Sequence, residues 1–124
     1  MDNLKIVGDK YTLEIDFDVA TGVLRMAGSS YPENAAEFFQ PIYNWLGTYI
    51  SEVGKSLCLN FELDYLNTSS TKCIMDVLEI LEMYQKDDDF VEVNWYYPED
   101  DEDILEIGEE IAEDIDLKVK FIPQ

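Results

Sequence analysis

Histidine is absent from this chain, and basic residues are scarce: 8 Lys and Arg stand against 28 Asp and Glu, for a net charge of −20. That balance argues against nucleic acid or a membrane surface as a partner, because both are held by cationic patches. Without imidazole the commonest general base and zinc ligand is missing. The two cysteines, Cys58 and Cys73, have no motif spacing. They are expected to be small buried apolar residues rather than a disulfide or a zinc site. No Gly-rich phosphate loop occurs, and Pro98–Asp103 lacks the glycine and ligand alternation of a calcium loop. No cofactor or metal is expected. Apolar runs fall short of the roughly 20 residues a transmembrane helix needs, and the N-terminus has no apolar signal core. The expectation is a cytoplasmic protein with no membrane insertion.

What is present indicates a folded domain. Apolar residues make up 47% of 124 residues and aromatics 13%, enough for a core despite the charge. Residues 1–124 are expected to form one domain. From Asp87 to Asp116 there are 15 Asp and Glu and no Lys or Arg. Two readings stand: a solvated, self-repelling surface, or an electrostatic guide for a basic protein partner.

Tyr11, Leu13, Ile15 and Phe17 alternate with polar residues, as in a half-buried strand, and Ala20-Thr21-Gly22 turns the chain into a second strand over Val23–Ala27. Gly28 to Asn34 reads as a loop. Phe38, Phe39, Ile42, Leu46, Tyr49 and Ile50 then mark a helical face, with Pro41 either bending the helix or delaying its start, and Gly54 ending it. A strand over Leu57–Leu63 follows, then a helix carrying Ile74, Val77, Leu78 and Leu81 that ends before Asp87-Asp88-Asp89. Phe90–Tyr97 is apolar or aromatic on both faces and belongs inside the sheet. Ile104, Ile107, Gly108, Ile111 and Ile115 define a third helix, and Leu117–Ile122 a last strand. The order β-β-α-β-α-β-α-β predicts an α/β fold: a mixed, largely parallel sheet of about five strands, covered by three main helices.

The segment Asp64-Tyr65-Leu66-Asn67-Thr68-Ser69-Ser70-Thr71 holds four consecutive hydroxyl residues where a strand enters a helix. The first turn of a helix offers unpaired N–H groups and the positive end of the dipole. Asn67 or Thr68 could be an ordinary N-cap. Alternatively, a phosphorylated hydroxyl would set a dianion where the backbone favours negative charge. Tyr31, Glu33 and Asn34 also have two readings: a cap with Tyr31 packed as a staple, or part of a partner surface beside Thr68. Trp95, Tyr96 and Tyr97 are expected in the core and on the sheet face. An enzyme using Asp64 and Thr68 would have only Lys72 nearby to activate the hydroxyl, so no catalytic residue is assigned.

The element order, with hydroxyls at the exit of the third strand, resembles the STAS domains of anti-sigma-factor antagonists, which act by partner switching. There an aspartate usually precedes the modified residue, whereas here Asn67 precedes Thr68. Gly28-Ser29-Ser30-Tyr31-Pro32-Glu33-Asn34, then Tyr65-Leu66-Asn67-Thr68-Ser69-Ser70, then Trp95-Tyr96-Tyr97 with the acidic third helix, resemble a more specific family, the SiaC-type regulatory phosphoproteins of bacteria. The resemblance implies phosphorylation of Thr68 by a GHKL-type protein kinase and its removal by a PP2C-type phosphatase. It also implies that the unphosphorylated form binds and activates an output protein, a diguanylate cyclase. Tyr65, Leu66, Asn67, Ser69 and Ser70, with Tyr31, Glu33 and Asn34, form the expected partner surface. The competing function is a constitutive acidic adaptor or nucleic-acid mimic acting through the Asp87–Asp116 region.

Overall fold

Among the described residues, six strands lie side by side in chain order in the computed structural model, which describes residues 1–87 and 89–124. Asp88, in the acidic run after the second helix, lies outside the described residues. β1 (Leu4–Ile6), β2 (Glu14–Asp18) and β3 (Val23–Ser30) pair antiparallel. β3, β4 (Leu57–Leu66), β5 (Val91–Tyr97) and β6 (Val119–Pro123) pair parallel, connected through α1 (Ala35–Thr48), α2 (Thr68–Tyr84) and α3 (Glu102–Glu113). The expected α/β class and STAS-like order are therefore present, with one strand more.

The added strand is β1. Its three residues are too few to show periodicity, and it exists because β2 offers an edge, with Leu4 opposite Phe17. Tyr11 does not belong to β2. The Asp9 carboxylate accepts hydrogen bonds from the Tyr11 and Thr12 amides and the Thr12 hydroxyl, which ties residues 9–12 into a turn. Those same bonds, the Tyr11 amide first, hold the Asp9 carboxyl below the usual carboxylate range.

Strand order never reverses along β3-β4-β5-β6, and parallel crossovers are right-handed, so successive helices fall on one side. The burial pattern agrees. Leu24, Met26, Leu59, Phe61, Leu63, Val93 and Trp95 are buried on the helix side. The opposite face carries a row that crosses all six strands in register: Lys5, Asp16, Arg25, Asn60, Asn94 and Lys120. The sheet is thus covered by its helices on one face only. Cys58 sits on this open face, half-exposed rather than buried, while Cys73 is buried, and both thiols are free.

Packing between the layers follows the helical spacing. α1 buries Ala35, Phe39, Ile42, Trp45 and Leu46, and its final turn widens into a π-helical turn over Tyr49–Val53. Gly54 closes it at φ +65°, donating to the Tyr49 carbonyl. Pro41 lies inside α1 on its exposed side, so the helix does not start late. α2 buries Ile74, Val77, Leu78 and Leu81 as the spacing predicts. α3 sits close to β5 because Gly108 has no side chain: a Cβ there would lie 2.6 Å from the Trp95 ring. The Trp95 indole N–H then reaches the Ile104 carbonyl at 2.9 Å.

Candidate functional site

Alternation along β4 puts Leu57, Leu59, Phe61 and Leu63 into the core, and continued alternation would bury Tyr65. A bulge prevents this. Gly28 of β3 pairs with Leu63 and Ser29 with Tyr65, so Asp64 is the extra residue, opposite no partner. Gly28 adopts φ +98°, which a residue with a Cβ rarely does. Past the bulge Asp64 and Tyr65 both face solvent and Leu66 is the next to turn inward. Both strands run three residues further than the sequence indicates: β3 continues through Gly28, Ser29 and Ser30, and β4 through Leu66.

Tyr65, 42% exposed, stacks on Tyr31, 46% exposed, with ring centroids 4.5 Å apart and planes 22° from parallel. Tyr11, 57% exposed, meets the edge of Tyr31 at 5.7 Å, and its carbonyl accepts from the Tyr31 amide. Three exposed tyrosines therefore form one ledge at the C-terminal end of the parallel strands. Tyr31 is not a buried staple for α1. Tyr11 belongs to the ledge and escaped the sequence reading, because its place in an apolar-polar alternation marked it as a strand residue.

Asn67 joins the ledge to α2. It caps the helix: its Oδ1 accepts from the Ser70 amide at 2.8 Å. Its Nδ2 donates to the carbonyls of Tyr31 and Pro32 at 2.7 and 3.1 Å. Beneath it, the Ser70 hydroxyl bonds the Ser30 hydroxyl at 2.6 Å, both side chains being buried. The Ser69 hydroxyl accepts from the Ala35 amide at 3.3 Å, so α2 supplies the first-turn partner of α1. Asn34 occupies the N-cap position of α1 without a side-chain cap bond, and Glu33 is exposed. Neither caps α1 through its side chain.

The four hydroxyls thus have different fates. Ser70 is fully buried. Ser69 and Thr71 are half-buried, and the Thr71 hydroxyl donates to the Asn67 carbonyl at 3.0 Å. Thr68, the first residue of α2, is exposed, and among the described residues no protein group is hydrogen-bonded to its hydroxyl. Of the expected partner surface, Tyr31, Glu33, Asn34 and Tyr65 face solvent, and Asn67 and Ser69 partly do. Leu66 and Ser70 are buried and support that surface without being part of it.

Comparison with known proteins places this arrangement. The chain is 38% identical over 114 residues to an uncharacterised protein of Pseudomonas aeruginosa strain UCBPP-PA14, covering 92% of this chain and 90% of that one. It matches a solved structure of SiaC of P. aeruginosa at 34% identity and TM-score 0.90, over the full length of both chains. It also matches, at 35% identity and TM-score 0.90, a chain in the structure of the diguanylate cyclase SiaD in complex with its activator SiaC, from P. aeruginosa, covering 98% of this chain and 99% of that chain. Residues 6–124 match the SiaC family regulatory phosphoprotein model. With this match over nearly the whole chain and these relatives, the chain belongs to the SiaC family.

Proposed function

We propose that this chain is a non-catalytic cytoplasmic signalling protein whose binding to an output protein is set by phosphorylation of Thr68. A GHKL-type kinase adds the phosphate and a PP2C-type phosphatase removes it. The output protein is a diguanylate cyclase, by similarity to the P. aeruginosa complex of SiaD with its activator SiaC. One observation carries the reading: of four consecutive hydroxyls, Thr68 is the one that is exposed, and it stands beside the tyrosine ledge. A kinase needs an accessible hydroxyl on a defined backbone, and the Asn67 bonds to Tyr31, Pro32 and Ser70 hold that backbone in place.

The unmodified form offers Tyr31 and Tyr65 and a neutral hydroxyl as a contact surface. Phosphorylation adds about −1.5 to −2 charges and a hydrated group at its centre. A partner packed over that surface would have to desolvate the dianion, and release follows. The domain stays folded, because α2 directs its positive end toward the phosphate.

Phosphosite mapping on protein from its native cells, with calorimetric binding of the output protein to Thr68→Ala and Thr68→Asp, tests the proposal. Thr68→Ala is expected to take up no phosphate and to bind like the unmodified protein. Thr68→Asp should bind at least about ten-fold more weakly. Phosphate on another residue, or equal binding by both variants, overturns it.

A further inference from the structure

One cation shares a helix with Thr68. α2 carries a single basic residue, Lys72, and α1 and β4, which meet its first turn, carry none. Lys72 is exposed and stands four residues after Thr68, also exposed, so the two side chains share one face of α2 a single turn apart. Helical side chains lean back toward the N-terminus, so the Lys72 stem lies over the turn that Thr68 opens. Its ammonium has no competing tie: among the described residues both ion pairs are made by Arg25, to Glu14 and Glu62. Asp76 lies one turn further on, but an acid after the base is the weaker order, whereas an acid at position 68 precedes it. The other hydroxyls are placed differently. Ser70 and Thr71 have Ile74 and Met75 four residues on. Ser69, three residues before Lys72, is half-buried with its hydroxyl engaged by the Ala35 amide.

The rest of the surroundings is anionic. Glu33 and Glu37 flank Ala35 at the start of α1, Asp64 lies near the end of β4, and Asp76 follows on α2. In a chain of net charge −20 these carboxylates favour the monoanion of a phosphate, raising its second ionisation from about 6 toward neutrality. We propose that Lys72 is the counter-ion of the phosphorylated switch: its ammonium closes on the Thr68 phosphate, keeps it a dianion at neutral pH and fixes it along the exposed face of α2. The proposal rests on the switch reading above and adds the residue that sets the charge and place of the modified group. Lys72 is a positioning residue that acts only after modification.

The test uses the full chain with phosphothreonine placed at position 68 by genetic encoding, so no kinase is needed. Phosphorus NMR follows the second phosphate ionisation in the parent and in Lys72→Met, Lys72→Arg and Lys86→Met. Lys86→Met removes the same charge from an exposed residue beyond the far end of α2, roughly 20 Å or more from Thr68 and so past the screening length. Circular dichroism checks that all stay folded. The midpoint should rise by about 0.3 unit or more in Lys72→Met, the strength expected of a pair at this spacing. Lys72→Arg, which keeps the charge, and Lys86→Met should each stay within about 0.1 unit of the parent. An unchanged midpoint in Lys72→Met, an equal rise in Lys86→Met, or no rescue by Lys72→Arg overturns the pair. If Thr68 proves unmodified in native cells while Lys72→Met still raises the midpoint, the switch falls and the pair stands. If Thr68 is phosphorylated and the midpoints agree, the pair falls alone.

Discussion

Replacing Asn67 by Ala removes three hydrogen bonds that together fix the start of α2 against the Tyr31 loop. The lost N-cap costs about 1 kcal/mol. The two bonds to the Tyr31 and Pro32 carbonyls add roughly 0.5–1 kcal/mol each, since those carbonyls lie near the surface and water can replace the amide. The total is about 2–3 kcal/mol. Unfolding entropy runs near 2.1 cal/mol/K per residue, so over 124 residues the loss corresponds to a Tm drop of roughly 10 °C. Asn67→Asp separates the parts. It keeps the cap acceptor but loses both donors and turns a carboxylate toward two carbonyl oxygens, so it should lose at least half as much. Urea unfolding at pH 7, followed by far-UV circular dichroism, reads both variants, and the transition midpoint should fall at constant m-value. If Asn67→Ala costs under about 0.5 kcal/mol, or Asn67→Asp is as stable as the parent, the side chain does not tie the loop to the helix.

Three further outcomes follow from the same geometry. In a double-mutant cycle, Tyr31→Ala and Tyr65→Ala should show a coupling of about 0.5–1.5 kcal/mol in urea unfolding, and each single change should weaken output-protein binding. Gly108→Ala drives a Cβ into the Trp95 ring and should destabilise by about 1–3 kcal/mol, with a changed Trp fluorescence spectrum. The Cys58 thiol is pushed up by burial first and by Glu92 second, so its alkylation should begin at higher pH than that of free cysteine. A raised thiol pKa contributes stability that is complete below the unfolded-chain value and lost as pH rises through the folded one. Cys58→Ser should therefore flatten the alkaline limb of the stability profile, and an unchanged limb refutes this.

The residues alone were enough for much of this protein. The 3–4 spacing of α2, the β-α-β alternation and the turn at Gly22 come from local periodicity and backbone preference, and the structure repeats them. The run of hydroxyls that opens α2 also stood out in the sequence, and the structure places it at the end of β4 with Thr68 exposed. What eluded the sequence lies where distant segments meet. β1 forms only on an edge that β2 provides, and the open sheet face follows from a strand order that does not reverse. Above all, one unpaired residue at Asp64 shifts the alternation of β4, turning Tyr65 out onto Tyr31 and Leu66 inward. Periodicity is a property of one strand, but a bulge is decided by pairing between two, so only tertiary structure could place the tyrosine ledge beside Thr68.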